Sequence, residues 1–264
     1  MKTQSRKVMR IAFAAGMILL LAGSAFIRWG NAIARALEND QPSRSIGTTK
    51  DGRLINGKRL PTSGSNFKAY GCLPVAMGRN SLNDRVRTVV LDAYDMMKLS
   101  HPSVHFVYGE CSWPSGGRLR PHATHRNGLS IDLFVPVVRI GKPLILRTSI
   151  FNKYGYSLHF DENGYCAAQD CNLDAEAMAA HLLSLYEASK KRGLRIRRVI
   201  FAPELQVLLL HTRLGQDIQR VVTFSKDRPW IRHDEHYHVD FENPDEGQTS
   251  QPPHTGDAEP PPDE

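Results

Sequence analysis

Apolar residues in Ser81–Leu99 recur at Val86, Val89, Val90, Ala93, Met96 and Met97, the spacing of one helix face, so a helix is predicted there. A second helix is predicted over Leu173–Arg192. Asp174 and Glu176 suit its first turn, Gly193 its end, and Met178, Leu182, Leu185 and Tyr186 form its apolar stripe. Glu204–Thr212 reads as a third. The runs Val104–Tyr108, Leu129–Val138, Ile196–Phe201 and Val221–Phe224 are β-branched and aromatic and lie between turn residues, as strands do. Separated helices and short strands predict an α+β domain with a small antiparallel sheet as its core and helices flanking it. No internal repeat interrupts this pattern.

The ends differ from the middle. Lys2, Arg6, Lys7 and Arg10 precede an apolar run of 17 residues, Ile11–Ile27, broken only by Gly and Ser. This is long for a signal-peptide core and short for a membrane span, so residues 1–36 are read as a cleaved signal or an N-terminal membrane anchor. Gly23-Ser24-Ala25 and Ala32-Ile33-Ala34 both offer small residues for cleavage. In either case the body is exported, with the positive end left in the cytoplasm. Ala36–Ser45 is polar and reads as a linker. The Pro-rich stretch 244–264 reads as a disordered acidic tail. One catalytic domain, residues 45–243, lies between, and hydrophobic residues at 41% suffice for its core.

The net charge of +7 suggests nucleic acid at first sight, but Lys2, Arg6, Lys7, Arg10 and Arg28 all fall in the exported or membrane segment. The tail carries six acidic residues and no Lys or Arg, so the body is basic. A polyanionic wall polymer suits such a face, as does ordinary solubility. No nucleic acid and no protein partner is inferred. Four cysteines fit an oxidising compartment and two disulfides. Cys166 and Cys171 are close enough to close across a turn, which leaves Cys72 with Cys111. A four-thiolate zinc site would want CxxC spacing that the distant pair lacks.

Five of the eleven histidines fall in two short windows: His122 and His125, followed by Asp132, and His233, His236 and His238. Imidazoles with one carboxylate in an exported protein point to zinc before copper or iron. A turn through Asn127-Gly128 would bring His125 beside Asp132 on the next strand, placing the zinc site at the sheet. On a strand, His236 and His238 share a face, so one can hold metal while the other reaches substrate. Three ligands, His125, Asp132 and His238, leave an open position for water, as catalytic zinc sites do. His122 is a fourth ligand or a hydrogen-bonding neighbour. With no HExxH, His236 is the expected base, and Glu235 on a strand would point away from it. His233 would steady the oxyanion or orient the base.

These residues resemble a family. His125-x6-Asp132 with His236-x-His238 is similar to the group of lysostaphin, D-Ala-D-Ala peptidases and hedgehog-type domains. The closer resemblance is to the penicillin-insensitive murein endopeptidases. It includes Ser45-Ile-Gly47, Gly57–Pro61, Gly109-Glu-Cys-Ser-Trp-Pro-Ser-Gly-Gly117, the His122 to Asp132 segment, and Arg228-Pro-Trp230 leading into the last histidines. The resemblance implies a periplasmic zinc endopeptidase cutting D-alanyl to meso-diaminopimelyl cross-links in peptidoglycan. It implies His125, Asp132 and His238 as ligands, His122 near the metal, and His233 and His236 assisting catalysis. Ser130 stands where the family usually has Asp, and Asp240 where an Arg often follows the last histidine. The alternatives are a D-Ala-D-Ala carboxypeptidase or other wall amidase, and a non-catalytic, zinc-containing wall-binding module. His101, His105, His159, His181, His211 and His254 have no partner at ligand spacing and read as packed or surface residues. Trp113 and Trp230 read as core or groove, Asp234 and Asp240 as neighbours of the metal or solvated surface, and Gly116-Gly117 as a tight turn.

Overall fold

The computed structural model describes residues 2–225 and 231–244. Arg228-Pro-Trp230 and the acidic tail beyond Pro244 therefore lie outside the described residues. In chain order, α1 (Lys2–Ala36) is followed by β1 (Arg44–Gly47), β2 (Gly52–Ile55), β3 (Lys58–Arg59), β4 (Phe67–Ala69), α2 (Cys72–Ala76), β5 (Ser81–Leu82), α3 (Asp84–Ser100), β6 (Phe106–Tyr108) and β7 (Ser130–Phe134). Next come β8 (Val137–Arg139), β9 (Lys142–Leu144), a 3-10 segment Ile150–Gly155, β10 (Tyr165–Cys166), β11 (Cys171–Leu173), α4 (Ala175–Lys191), β12 (Arg195–Ile200), α5 (Pro203–Leu210), α6 (Gly215–Val221) and β13 (His236–Glu242).

The main sheet runs β12-β13-β7-β6-β4, and the expected α+β class is what the chain adopts. The sheet is mixed rather than purely antiparallel, because β4 pairs with β6 in parallel, Phe67 opposite Phe106. A second sheet, β10-β11-β8-β9, sits beside it. Strand alternation divides the main sheet into two chemistries. Ile131 and Leu133 of β7 and Tyr237, Val239 and Phe241 of β13 join the apolar core, which α3 and α4 complete. Ser130 and Asp132 of β7 and His236, His238 and Asp240 of β13 occupy the other set of positions, and all five are buried.

Local chemistry explains the helices. Asn83 caps α3 by accepting from the Arg85 N–H, and Asp174 caps α4 by accepting from the Ala177 N–H, each satisfying one orphan donor of a first turn. The apolar faces are buried as predicted, apart from the half-buried Met96 and Tyr186 and the exposed end of α3.

Four expectations are corrected. Leu129–Val138 is not one strand: it breaks at Pro136, which has no N–H to give a ladder, and β8 joins the other sheet. Val221–Phe224 forms no strand. Val221 ends α6, and Phe224 makes only an isolated bridge to Val199, because Ile218 and Val222 pack through a helical turn instead. Ala36–Ser45 is not a loose linker. Glu38 accepts from the Arg59 N–H (2.6 Å) and pairs with Arg87 (2.9 Å), Lys58 binds Asn39, and Ser43 exchanges hydrogen bonds with Asp84. Finally, all four cysteines are free thiols rather than two disulfides. Cys166 and Cys171 nonetheless face each other on one rung of β10 and β11, whereas Cys72 is exposed and Cys111 buried.

Candidate metal centre

Asp132 lies at the middle of β7, and its register partner on β13 is His238. His238 Nδ1 is 2.8 Å from Asp132 Oδ1, and His125 Nε2 is 3.1 Å from the same oxygen. His125 comes from the loop before β7 and has a left-handed backbone, φ 67°. The loop is fixed by Asn127, which accepts from the Leu129 N–H, and by Gly128 at φ 77°, where a side chain would strike the backbone of Asn83. His122 Nδ1 is 3.9 Å from Asp132 Oδ2. His122, His125 and Asp132 each offer a ligand atom within 4.8 Å of the others, so this group can hold a metal ion.

The far side of each imidazole is also held. His125 Nδ1 meets the Cys111 carbonyl at 2.5 Å, and His238 Nε2 meets Asp240 Oδ1 at 2.8 Å. Placing the proton on those outer nitrogens leaves His125 Nε2 and His238 Nδ1 with lone pairs turned toward Asp132. Bonds of about 2.0–2.1 Å to a tetrahedral zinc put neighbouring ligand atoms about 3.3 Å apart, close to the spacings seen. The donor set therefore fits zinc.

Asp240 belongs to a rung across three strands, opposite Arg198 of β12 and Ser130 of β7. Ser130 Oγ donates to Oδ1 (2.6 Å) and Arg198 Nε to Oδ2 (2.7 Å). The two positions that depart from the family pattern, Ser130 and Asp240, are thus hydrogen-bonded neighbours, and Asp240 is no solvated surface residue. Asp234 is likewise buried, held by His159 at 2.6 Å and by the Phe160 N–H at 2.8 Å.

A cavity of about 400 Å³ opens beside the cluster, lined by His122, His233, His236, Glu235, Tyr156 and Lys153 among others. His236 Nε2 is 3.8 Å from Asp132 Oδ2, while its Nδ1 is 2.9 Å from Glu235 Oε1. The expectation that Glu235 points away is therefore overturned: β13 begins at His236, so strand alternation does not govern residue 235. His233, at φ 52°, binds the Ile231 carbonyl through Nδ1 at 2.8 Å, and its ring centroid is 4.6 Å from that of His236.

Burial would raise the Asp132 carboxyl, but in the metal-free site His125 and His236 hold it well below the usual carboxylate range, helped by hydrogen bonds from His125 and His238 when their inner nitrogens carry the protons that a metal would displace. Burial also opposes the charge on His238, yet Asp240 and Asp132 raise it to about 9. His122 and His233 have weaker carboxylate support, and burial pushes them down to about 3 and about 4. A ligand imidazole must shed its proton, so metal and proton compete at His238.

Three neighbours were not singled out in the sequence, although Glu110 lies in the Gly109–Gly117 block. Tyr156 donates to Asp132 Oδ2 (2.9 Å) and accepts from the Glu110 N–H (2.8 Å). Glu110 takes a forked hydrogen bond from Arg79 Nε at 2.8 Å, and the Arg79 guanidinium lies 5.3 Å from the Trp113 ring centroid. None stands at a recognisable spacing from the histidines.

Sheet and cluster together define an α+β domain with a buried histidine–carboxylate group able to hold a cation. Within that class the assignment is specific: the chain belongs to the penicillin-insensitive murein endopeptidase family, whose match spans residues 45–260. No individually curated protein matches it. Membership makes it a peptidase family protein acting on murein, and an exported location follows from that substrate.

Proposed function

We propose that the chain is a zinc-dependent endopeptidase hydrolysing D-alanyl to meso-diaminopimelyl cross-links in peptidoglycan, on the periplasmic side of the membrane. The observation that carries this reading is the convergence of His125 Nε2 and His238 Nδ1 on Asp132 Oδ1, each imidazole anchored through its other nitrogen. These three residues are the proposed ligands. His122, farther from Asp132, lies at the cavity edge as a neighbour or fourth ligand. Zinc bound there supplies a Lewis acid for the scissile carbonyl and a nucleophile from water that ionises near pH ~7.

The remaining roles belong to the chain. His236 takes and returns the proton at Nε2, since Nδ1 is engaged by Glu235. Glu235 fixes that ring. His233, whose Nδ1–H donates to the Ile231 carbonyl, is left with an accepting Nε2 beside His236 and therefore orients the base rather than steadying the oxyanion. Asp240 and the Cys111 carbonyl set the tautomers of the two ligand histidines, and Tyr156 fixes the second oxygen of Asp132.

Digestion of purified sacculi with and without a chelator, read by mass spectrometry, tests the proposal. The expected result is monomers from cross-linked dimers, blocked by chelation and restored by zinc. Loss of one terminal D-Ala would indicate a carboxypeptidase, and binding without release a non-catalytic module.

A further inference from the structure

The amino-terminal helix α1 is two things in sequence. From Phe13 to Leu21 its apolar side chains stand clear of the protein: Phe13, Ile18, Leu19, Leu20 and Leu21 are 64–73% exposed. From Gly30 onward the same unbroken helix is part of the domain. Asn31 is 3% exposed, and its Nδ2 donates to the Leu60 carbonyl and to Thr62 Oγ1, both at 3.0 Å. Asn80 Nδ2 donates back to Asn31 Oδ1 at 3.0 Å and to the same Leu60 carbonyl at 2.7 Å. A buried amide is stable only when its groups are paired, and Asn31 finds its partners on the folded domain. A Cβ at Gly30 would stand in ordinary contact with that of Ala76, at 3.5 Å, which shows how near α1 runs to α2. Just beyond the helix, Glu38 binds Arg59 and Arg87.

We infer that α1 is retained in the mature protein as a membrane anchor, and that its docked end holds the domain rigidly against the bilayer. The occupant of the exposed apolar helix is the lipid core. The helix long and apolar enough to cross a membrane is Ala12–Ala36, and its stretch ahead of the docked end, Ala12–Trp29, is 18 residues, about 27 Å of helix, near the thickness of that core. Arg28 and Trp29 fall where the span ends, the place of interfacial anchors. Cleavage after Ala34 would remove Asn31 and leave the Asn80 amide without that partner. Cleavage after Ala25 would keep the dock but leave Phe26 (50%), Ile27 (40%) and Trp29 (56%) in water, next to exposed Leu73 (37%) and Met77 (50%) at α2, against which α1 packs. A bilayer covers this patch. The domain then works on wall close to the membrane, with little freedom to swing.

The test uses the full chain, exported in a bacterial host with a carboxy-terminal tag, and reads no activity, so its failure is separate from failure of the zinc reading. Intact-mass analysis should find a chain starting at Met1 or Lys2 that stays in the membrane pellet after an alkaline carbonate wash. A mature chain starting at Phe26, Arg35 or any other point within the helix would overturn the anchor. Asn31→Ala in detergent should lower the thermal midpoint by on the order of 3 °C. An unchanged midpoint would overturn the rigid dock.

Discussion

Two buried histidines show what separates the site from the core. His181 on α4 stacks on Tyr94 (ring centroids 5.1 Å) and lies tilted against Phe106 (4.5 Å), and its single polar partner among the described residues is the Tyr237 hydroxyl at 2.5 Å. Burial alone acts on it and lowers it to about 3. His238, equally buried on the opposite set of β13 positions, sits between Asp132 and Asp240 and is raised to about 9. A few ångströms of sheet separate a neutral packing residue from a candidate ligand. Burial does not distinguish them; carboxylates on both nitrogens do.

That contrast can be broken by substitution. Asp132→Ala removes the oxygen on which both histidines converge, and is expected to bring zinc binding and sacculus digestion below detection. Asp240→Ala should weaken zinc binding about 10–100-fold in chelator competition, with Asp240→Asn recovering part of the loss and the metal-free thermal midpoint showing whether the fold survives. Unchanged affinity in a folded Asp240→Ala protein would remove the orienting role. Tyr156→Phe deletes one hydroxyl that touches Asp132 and the Glu110 N–H, and a loss near tenfold in zinc affinity is expected.

The last effect is on the core side and concerns pH. The His181 pKa is lowered in the folded state, so the unfolded chain takes up the proton first, below about 6.5. Its contribution is fully present above that pH and declines as pH falls toward 3, by about 1.4 kcal/mol per unit. Urea melts should therefore show the advantage of wild type over His181→Gln shrinking by about 2 kcal/mol between pH 7 and pH 5. A constant gap would mean that the ring is not held neutral by burial.

The α+β class and the helices α3 and α4 were legible because one apolar stripe and one cap each sufficed to specify them. His125, Asp132 and His238 were legible as a group because histidines cluster in few residues. What escaped has a common cause, dependence on a partner remote in sequence. Tyr156 reaches Asp132 only after β8, β9 and the 3-10 segment fold back. Asp240 gains its role from Arg198 and Ser130 on two other strands, and Asn31 from Asn80. Val221–Phe224 misled because β-branched composition is weak evidence when a neighbouring helical turn buries the same side chains. Glu235 misled because it lies one residue before its strand.

The central claim is that His125, Asp132 and His238 hold one zinc ion. X-ray absorption at the zinc edge of the purified full chain tests it most directly, with metal content measured on the same sample and on His238→Ala. The account predicts one zinc per chain in a shell of nitrogen and oxygen with imidazole scattering, and no tight zinc in the variant. A sulfur-containing shell, or zinc held equally well by His238→Ala, would contradict it.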